Sequence, residues 1–328
     1  MKKACVLVIF LCLWFFSGLG LVASPVGVSR VIEQTPPITL KPDLVIGVAE
    51  GNENLTLGSV TRIDLDGAGN VYVLDYKDRL IRIFRKDGSF LRNISVPAGQ
   101  GPREATYLSG IAVTPKGTLY VNDTRKIIVY GVDGSFVRSY LVDFVISSIG
   151  CPGTEELVAI GPHGGKILHV IDAEGKLTTS FGEPFAVPAE YEAFTEMPMF
   201  TAPLVFDCSK DGRIFVLNPH KYEVTVFKDR QLEQVLKGEN PLFIPLKKMG
   251  HGFISTAAHV VEAGGRVFAV LQTMDPRQQK KMDVFEKGKQ VGTLNVNGLP
   301  YAVDAQGRIY FAEEQDFPKV VRYSLVSR

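Results

Sequence analysis

The stretch GNVYVLDYKDRLIRIFRKDGSF (residues 69–90) decides the fold, because GTLYVNDTRKIIVYGVDGSF (residues 117–136) repeats its pattern further along the chain. Both copies run from Gly through Tyr-Val and Asp to a basic cluster, then through a second apolar run to Asp-Gly-Ser-Phe. β-Branched and aromatic residues favour strands, and Asp-Gly pairs favour hairpin turns. With a further hairpin turn at the leading Gly, each copy predicts a four-stranded antiparallel meander.

Four weaker copies follow these two along the chain. The third is shortened and lacks the leading Gly-aromatic pattern, whereas the fourth is clear. A period of about 40–50 residues with four strands per unit is typical of a β-propeller. The further copies span residues 157–175, 211–229, 264–288 and 304–323.

The sixth copy ends one strand short, and this deficit predicts how the ring closes. A ring of blades leaves no exposed edge when a segment from the other terminus completes the last blade. The apolar run Leu44–Val48 precedes the first full copy, so we expect it to pair beside Val320–Tyr323. The predicted fold is therefore all-β: a six-bladed β-propeller of four-stranded antiparallel blades over residues 41–328, closed by an N-terminal strand.

A two-domain α/β fold is excluded, because no long segment carries apolar residues at helical spacing over three turns. The best helical stretch, Ala189–Phe194, is short and falls in a predicted loop.

The first residues predict export. Residues 1–24 combine a basic start with a long apolar run that ends in small residues, which is typical of a secretory signal peptide. The run approaches the length that spans a bilayer, so an uncleaved membrane anchor is the alternative. Residues 25–40 are predicted as a linker, and the location as periplasmic or extracellular.

The charge balance argues against a nucleic-acid partner. Thirty-six Lys and Arg balance thirty-five Asp and Glu, without the basic excess of a nucleic-acid binder.

Two cysteines follow the signal segment, Cys151 and Cys208. Aligned blades place them at matching positions in neighbouring blades, where they form either a disulfide or two buried thiols.

The repeats resemble the NHL-like six-bladed β-propellers of exported bacterial proteins. The resemblance rests on the Gly-x-[IVL]-[YF]-V pattern with its following Asp, and on Gly99-Gln-Gly-Pro-Arg-Glu104 before a blade. That family's third glycine is replaced here by Arg103, so a backbone role of that glycine does not carry over. The resemblance implies fold and export; propellers host many activities, so function depends on the site.

Strand order predicts where a ligand binds. Loops between the second and third strands of a blade share one face with the loops between blades, and the long irregular segments fall there. These segments are 98–107, 182–203, 238–252, 271–281 and 313–319. We expect this loop-rich face to hold a carbohydrate, peptide or protein ligand. The candidate binding residues are Arg103, Glu104, Tyr191, Phe194 and Arg277.

An enzyme of the propeller class is the competing hypothesis. His163 and His220 follow Pro at matching loop positions, which makes them candidate zinc ligands of a metal-dependent lyase or lactonase. The run from Asp64 to Asp75 copies part of a calcium loop, but Ala68 fills a ligand position, so a β-turn is the ordinary interpretation. The sequence favours a binding protein without a cofactor.

Overall fold

The computed structural model describes residues 36–327 apart from 196, 204, 251 and 274–277, and its strands form six four-stranded antiparallel sheets and one small hairpin. Each sheet is one blade, so the predicted six-bladed propeller is confirmed. No helix in this described part is long and apolar enough to cross a membrane. The predicted signal segment 1–24 lies outside the described residues.

The strands follow one another in chain order, and within blades 1 to 5 they run from the inner to the outer edge. The strand before blade 1 is β1 (Ile38–Ile46). Blade 1 consists of β2 (Val60–Leu65), β3 (Val71–Asp75), β4 (Leu80–Phe84) and β5 (Phe90–Ser95). Blade 2 consists of β6 (Gly110–Val113), β7 (Leu119–Asp123), β8 (Lys126–Tyr130) and β9 (Phe136–Leu141). Blade 3 consists of β10 (Ser148–Gly150), β11 (Leu157–His163), β12 (Lys166–Ile171) and β13 (Leu177–Phe181).

The second half of the ring repeats this order with one added hairpin. Blade 4 consists of β14 (Phe206–Cys208), β15 (Ile214–Leu217), β16 (Glu223–Lys228) and β17 (Gln231–Lys237). The hairpin between blades 4 and 5 consists of β18 (Lys247–Met249) and β19 (Gly252–Ile254). Blade 5 consists of β20 (Ala257–Ala263), β21 (Arg266–Leu271), β22 (Lys280–Glu286) and β23 (Lys289–Val296). Blade 6 consists of β24 (Leu299–Val303), β25 (Ile309–Glu313), β26 (Lys319–Ser327) and, outermost, β1.

Two short helices lie in the connection between blades 3 and 4. Residues Ala189–Phe194, the predicted helical stretch, form a 3₁₀ helix. A single α-helical turn, α1 (Pro198–Thr201), follows it and was not predicted.

The hydrophobic core is divided into six layers, one between each pair of adjacent blades. Between blades 1 and 2, for example, Leu74 and Ile83 pack with Val113 and Val121. Each blade thus buries both of its faces against its neighbours, which explains why the strands of the repeats are almost continuously apolar.

Acidic side chains at the ends of second strands fix the loops that enter the blades. Asp75 accepts hydrogen bonds from the backbone N–H groups of Gly58 and Ser59, both at 2.9 Å. Asp123 accepts the equivalent bonds from Thr106 at 2.8 Å and Tyr107 at 2.7 Å. These charge-assisted bonds hold the entries to blades 1 and 2 in one conformation.

The ring closes as predicted, through antiparallel pairing of β1 with β26. Leu44, Val45 and Ile46 lie opposite Arg322, Val321 and Val320. An ion pair between Asp43 and Arg322, 2.5 Å from Oδ1 to Nε, reinforces the pairing. The pairing extends further than expected, since the buried Ile38 already lies opposite Ser327. Residues 38–40, predicted as the end of the linker, therefore belong to the strand.

The closing strand should carry the stability of the whole ring. Ile46 is 1% exposed and Val45 is 55% exposed on the same strand. We expect Ile46→Asp to lower the free energy of unfolding by about 3 kcal/mol or more, because it buries an unpaired charge between blades 6 and 1. Val45→Asp, the matched control, should change it by less than about 0.5 kcal/mol. Urea unfolding of the two variants measures both values, and equal losses would contradict a closing role for β1.

Candidate functional site

The loop-rich face carries the longest connections, as predicted from strand order. The connection from blade 3 to blade 4 contains both short helices, and the connection from blade 4 to blade 5 contains the β18–β19 hairpin. The opposite face consists of short turns between first and second strands and between third and fourth strands, and we call it the short-turn face.

Arg103 and Glu104 lie in the loop that joins blades 1 and 2, but their side chains have different surroundings. The Glu104 carboxylate folds back over its own loop and accepts a hydrogen bond from the Gly101 N–H at 2.9 Å. A β-carbon on Gly99 would lie 2.1 Å from that carboxylate, so glycine is required for this close approach. Arg103 is exposed. Glu104 therefore orders the loop, and Arg103 is available to a ligand.

Tyr191 and Phe194 meet in an aromatic cluster that the two long connections build together. Phe194 stacks on Phe200 with ring centroids 5.6 Å apart, and Tyr191 lies 5.5 Å from the same ring. Phe253 of the hairpin approaches Phe200 at 4.8 Å in an edge-to-face arrangement. The Tyr191 hydroxyl also accepts a hydrogen bond from the Lys248 N–H at 3.2 Å. The cluster thus attaches the hairpin to the helical connection.

The predicted binding residues are only partly brought together. Tyr191 and Phe194 share the aromatic cluster, whereas Arg103 and Glu104 lie at the junction of blades 1 and 2. Arg277 lies outside the described residues. A common site for these five residues stays a prediction.

The two candidate zinc ligands have separate partners. His163 stacks on Phe144 at 5.3 Å and lies 3.7 Å from the Asp143 carboxylate. His220 is buried, and its Nε2 lies 2.8 Å from the Phe200 carbonyl oxygen. Within the described part of the chain, no three His, Cys, Asp or Glu side chains cluster as a metal site would require.

The run that resembled a calcium loop forms a β-turn. Asp66 accepts hydrogen bonds from the N–H groups of Ala68 and Asn70, both at 2.9 Å. Asp75 binds the loop that enters blade 1. Asp64, the remaining carboxyl, takes no part in this turn and lines the cavity in the central channel.

The central channel contains a cavity of about 660 Å³ on the side of the short-turn face. Turns between first and second strands surround it, and inner-strand residues form its wall. The wall contains Asp64, Cys151, Asp207, Cys208, Glu262 and Tyr301. A volume of this size is typical of small-molecule sites.

Asp64 and Asp207 occupy equivalent inner-strand positions in blades 1 and 4, on opposite sides of the ring. Asp64 accepts a hydrogen bond at 2.7 Å from the N–H of Val113 on the inner strand of blade 2. Asp207 accepts the equivalent bond at 3.1 Å from the N–H of Glu262 on blade 5. The inner strand is the edge of its sheet, so some of its N–H groups have no partner strand to bind. Each carboxyl accepts a hydrogen bond from one such N–H group of the next blade and thereby links two adjacent blades.

Both carboxyls titrate far above the ordinary range of aspartate. Burial in the channel wall raises the pKa of Asp64 and of Asp207 to about 7, although backbone hydrogen bonds oppose the shift. Near neutral pH each group is therefore divided between its protonated and ionised forms, and either form is available to donate to or accept from a ligand.

Cys151 and Cys208 are free thiols in the same wall. Burial raises the pKa of both thiols above the ordinary cysteine value. Gly150 brings blades 3 and 4 close together here, since a β-carbon at this position would lie 2.9 Å from the Cys208 sulfur. The alternative of two free thiols agrees with this arrangement, and both side chains are partly exposed in the cavity wall rather than fully buried.

The sequence contained a signal for the channel residues that motif searching missed. When the blades are aligned, the position of Asp64 and Asp207 is filled in the other four blades by Ala112, Gly150, Val261 and Ala302. An acidic residue at an inner-strand position that is otherwise apolar marks the channel wall.

Comparison with known proteins supports the fold. Residues 49–159, about a third of the chain, match a family described as a 6-bladed beta-propeller. A search of curated proteins gives no match. The predicted assignment to six-bladed propellers is confirmed by this match and by the six blades of the structure. The chain is therefore a six-bladed β-propeller protein.

Solved structures share this architecture at low sequence identity. A protein of Bacteroides fragilis NCTC 9343 that is assigned as exported has a TM-score of 0.59 and 12% identity, over 89% of this chain and 96% of its own. A member of the DUF4221 family from Bacteroides vulgatus ATCC 8482 has a TM-score of 0.56 and 9% identity, over 90% and 99%. Virginiamycin B lyase from Staphylococcus aureus has a TM-score of 0.52 and 13% identity, over 88% and 100%. At these identities the likeness concerns the fold.

The raised pKa values predict a pH-dependent stability. Because the folded-state pKa of Asp64 exceeds the unfolded value, the native state keeps a proton that the unfolded chain releases above about pH 4. The stabilisation is present at acid pH and is lost as the pH rises through about 7. We expect the free energy of unfolding of the wild type, relative to Asp64→Asn, to fall by about 1–3 kcal/mol from about pH 5 to about pH 8.

Urea unfolding at both pH values measures this difference, and Asp133→Asn is the control. Asp133 lies in an exposed turn, where its hydrogen bonds with Ser135 lower its pKa, so it is ionised throughout this range. A wild type and an Asp64→Asn variant with parallel pH profiles would show that the carboxyl titrates normally.

The two thiols should react slowly in the folded protein. Because burial raises the pKa of Cys151 and Cys208, little thiolate is present at neutral pH. Iodoacetamide should therefore label both cysteines rapidly only after denaturation, as followed by mass spectrometry without reduction. A joined peptide pair from air-exposed protein would instead establish a disulfide.

Proposed function

We propose that the chain is an exported binding or scaffolding propeller that holds a carbohydrate, peptide or protein ligand on its loop-rich face. The observation that carries this proposal is a pair of exposed tyrosines with anchored backbones. Tyr76 is 48% exposed and directly follows β3, and Tyr107 is 45% exposed in the connection between blades 1 and 2; both positions belong to the loop-rich face.

The backbones of both tyrosines are fixed by hydrogen bonds. The Tyr107 N–H donates to Asp123 at 2.7 Å, and the Tyr76 N–H donates to the Ser59 carbonyl at 2.9 Å. A fixed backbone leaves only the side-chain torsions to be ordered on binding, so the entropic cost is low. Rigid, exposed tyrosines are enriched where proteins bind partners.

Further apolar side chains lie exposed in connections on the same face. They include Val145, Leu242 and Met249. Together with the tyrosines they give the face apolar contact points at several blade junctions, which favours an extended partner such as a protein or peptide. Arg103 adds a guanidinium for planar polar contacts at the junction of blades 1 and 2.

Export is part of the proposal and rests on the predicted signal segment. The similarity to a protein assigned as exported in Bacteroides fragilis supports it. Contact with the membrane is proposed only for residues 1–24, in the case that this segment is not cleaved.

The competing lyase or lactonase stays a prediction that metal analysis tests. His163 and His220 bind different neighbours, so no observation in the described residues favours a shared metal. The enzyme would replace the binding proposal if purified protein held stoichiometric zinc or calcium, and if His220→Ala lost both this metal and a measurable activity.

Site-specific cross-linking tests the proposed face. Benzoylphenylalanine at position 107 should give a protein or peptide adduct when the exported chain is irradiated in its native compartment, because this side chain lies at the proposed interface. Benzoylphenylalanine at position 136 is the matched control, since Phe136 is also exposed but lies on the outer strand of blade 2. Mass spectrometry of the adducts identifies the ligand.

A second substitution separates binding from folding. Arg103→Ala should reduce the yield of the position-107 adduct several-fold while the melting temperature stays unchanged, as for other surface substitutions. Equal adducts at positions 107 and 136 would overturn the proposed face. Binding on a glycan array that Tyr107→Ser abolishes would assign a carbohydrate ligand instead.

A further inference from the structure

Two carboxyl groups in the central cavity have no cationic partner among the described residues. Six described carboxyl groups line this cavity, and four of them are bound by neighbouring groups. Asp211 and Glu262 lie 2.9 Å and 3.8 Å from the guanidinium of Arg213. Asp304 pairs at 2.7 Å with an arginine four positions further along, and Asp66 accepts hydrogen bonds from the N–H groups of its own turn. The two remaining groups are Asp64 and Asp207.

Backbone hydrogen bonds satisfy these two carboxyl groups only in part. Asp64 accepts from the N–H groups of Leu65 and Val113, both at 2.7 Å. Asp207 accepts from the N–H of Glu262 at 3.1 Å and from the N–H of the residue that follows it. An ionised carboxylate offers about four lone-pair sites, so each group retains acceptors. Because both residues line the cavity, these acceptors are available to a ligand in it.

The charges around the pair leave a demand for a cation. Burial is the main cause of the raised pKa of both groups, and the charge of Asp66 adds to it for Asp64, as that of Glu262 does for Asp207. Lys210, exposed on a turn of blade 4, opposes the shift of Asp64 by its charge but forms no ion pair with it. Asp64 also raises the pKa of Asp207, so the two carboxylates repel each other when both are ionised. A cation between them would relieve this repulsion.

Much of the remaining wall is uncharged. Desolvation raises the pKa of the thiols of Cys151 and Cys208, so both are neutral at physiological pH. Val113, Ala302 and Val303 add apolar surface. An attraction between opposite charges is stronger beside such groups than in bulk water.

The dimensions of the site favour an organic cation over a metal ion. In the described part of the chain, no three His, Cys, Asp or Glu side chains are arranged to hold a metal. The cavity of about 660 Å³ is in the range of small-molecule sites and far exceeds the volume of a bare ion. Asp64 and Asp207 belong to blades 1 and 4, on opposite sides of the ring, so a ligand with two cationic ends suits both.

We propose that the central cavity binds a small organic ammonium ligand between Asp64 and Asp207. An ammonium group has three N–H donors and no acceptor, which matches carboxylates that retain only acceptors. Hydrogen bonds between ionised partners are about twice as strong as neutral ones. The site lies toward the short-turn face, so it is independent of the proposed partner surface on the loop-rich face.

Isothermal titration calorimetry of the purified protein tests the proposal with 1,4-diaminobutane, and 1,4-butanediol is the uncharged control of the same length. We expect saturable binding of the diamine, with one molecule per chain, and none of the diol. Asp64→Asn and Asp207→Asn should each weaken the binding at least tenfold. Asp133→Asn, which removes an exposed carboxylate from a turn of the same face outside the cavity, should leave it unchanged.

The pH dependence of the wild type keeps the test decisive if either variant does not fold. Because the pKa of both groups is about 7 and the diamine binds their ionised forms, its association constant should rise about tenfold or more from about pH 6 to about pH 8. Binding near pH 7 should release about one proton, measured as the difference in heat between phosphate and MOPS buffers.

Three results would overturn the proposal. They are no saturable binding of the diamine by the wild type, equal binding of the diol, and an association constant that neither the two variants nor pH alters. Calcium chloride that binds stoichiometrically and more tightly than the diamine would overturn the assigned ligand class.

Discussion

The antiparallel pairing of β1 with β26 is the constraint on which the rest of the structure depends. A blade is marginal alone, because both of its faces are apolar and must be covered by neighbours. Six core layers satisfy this requirement only if blade 6 also packs against blade 1, and β1 completes blade 6 at that junction. The channel exists because the ring is closed, so its wall residues depend on the same pairing.

Closure also determines how the two faces of the ring differ. Every inner strand runs from the loop-rich face to the short-turn face, so each kind of loop returns to the same side in all blades. The connections on the loop-rich face differ in length from blade to blade, and they carry exposed aromatic residues such as Tyr76 and Tyr107. The short-turn face is built from tight turns that leave the channel open between them. The geometry of the ring therefore places the long, irregular connections on one face and the regular tight turns on the other.

The fold was predictable from sequence because its four-stranded unit is repeated several times along the chain. Residues 69–90 and 117–136 define the meander, and the shortfall after Tyr323 predicts the closing strand. The start of β1 at Ile38 and the β18–β19 hairpin were missed. Both depend on pairing with distant or irregular segments, which a short local pattern does not encode. Copies with weaker patterns still fold as blades, since their neighbours bury both faces.

The sites were less predictable, and the reason is register across blades. Tyr191 and Phe194 could be placed on the correct face from strand order, but their packing on Phe200 depends on a helical turn that no motif marks. Asp64 and Asp207 belong to two separate strands with ordinary strand patterns. They line one channel only because the inner strands are arranged around the ring, so such a residue is recognised by its position in the repeat and not by its neighbours in sequence.

The closing ion pair has a consequence for the order in which the molecule assembles. Asp43 and Arg322 are separated by 279 positions in the chain, so the first strand of the fold waits for the last before its edge is covered. Loop-closure entropy makes such a distant contact slow to form. Until synthesis reaches β26, β1 has no partner strand, so its apolar side chains and unpaired backbone groups stay open to non-native pairing.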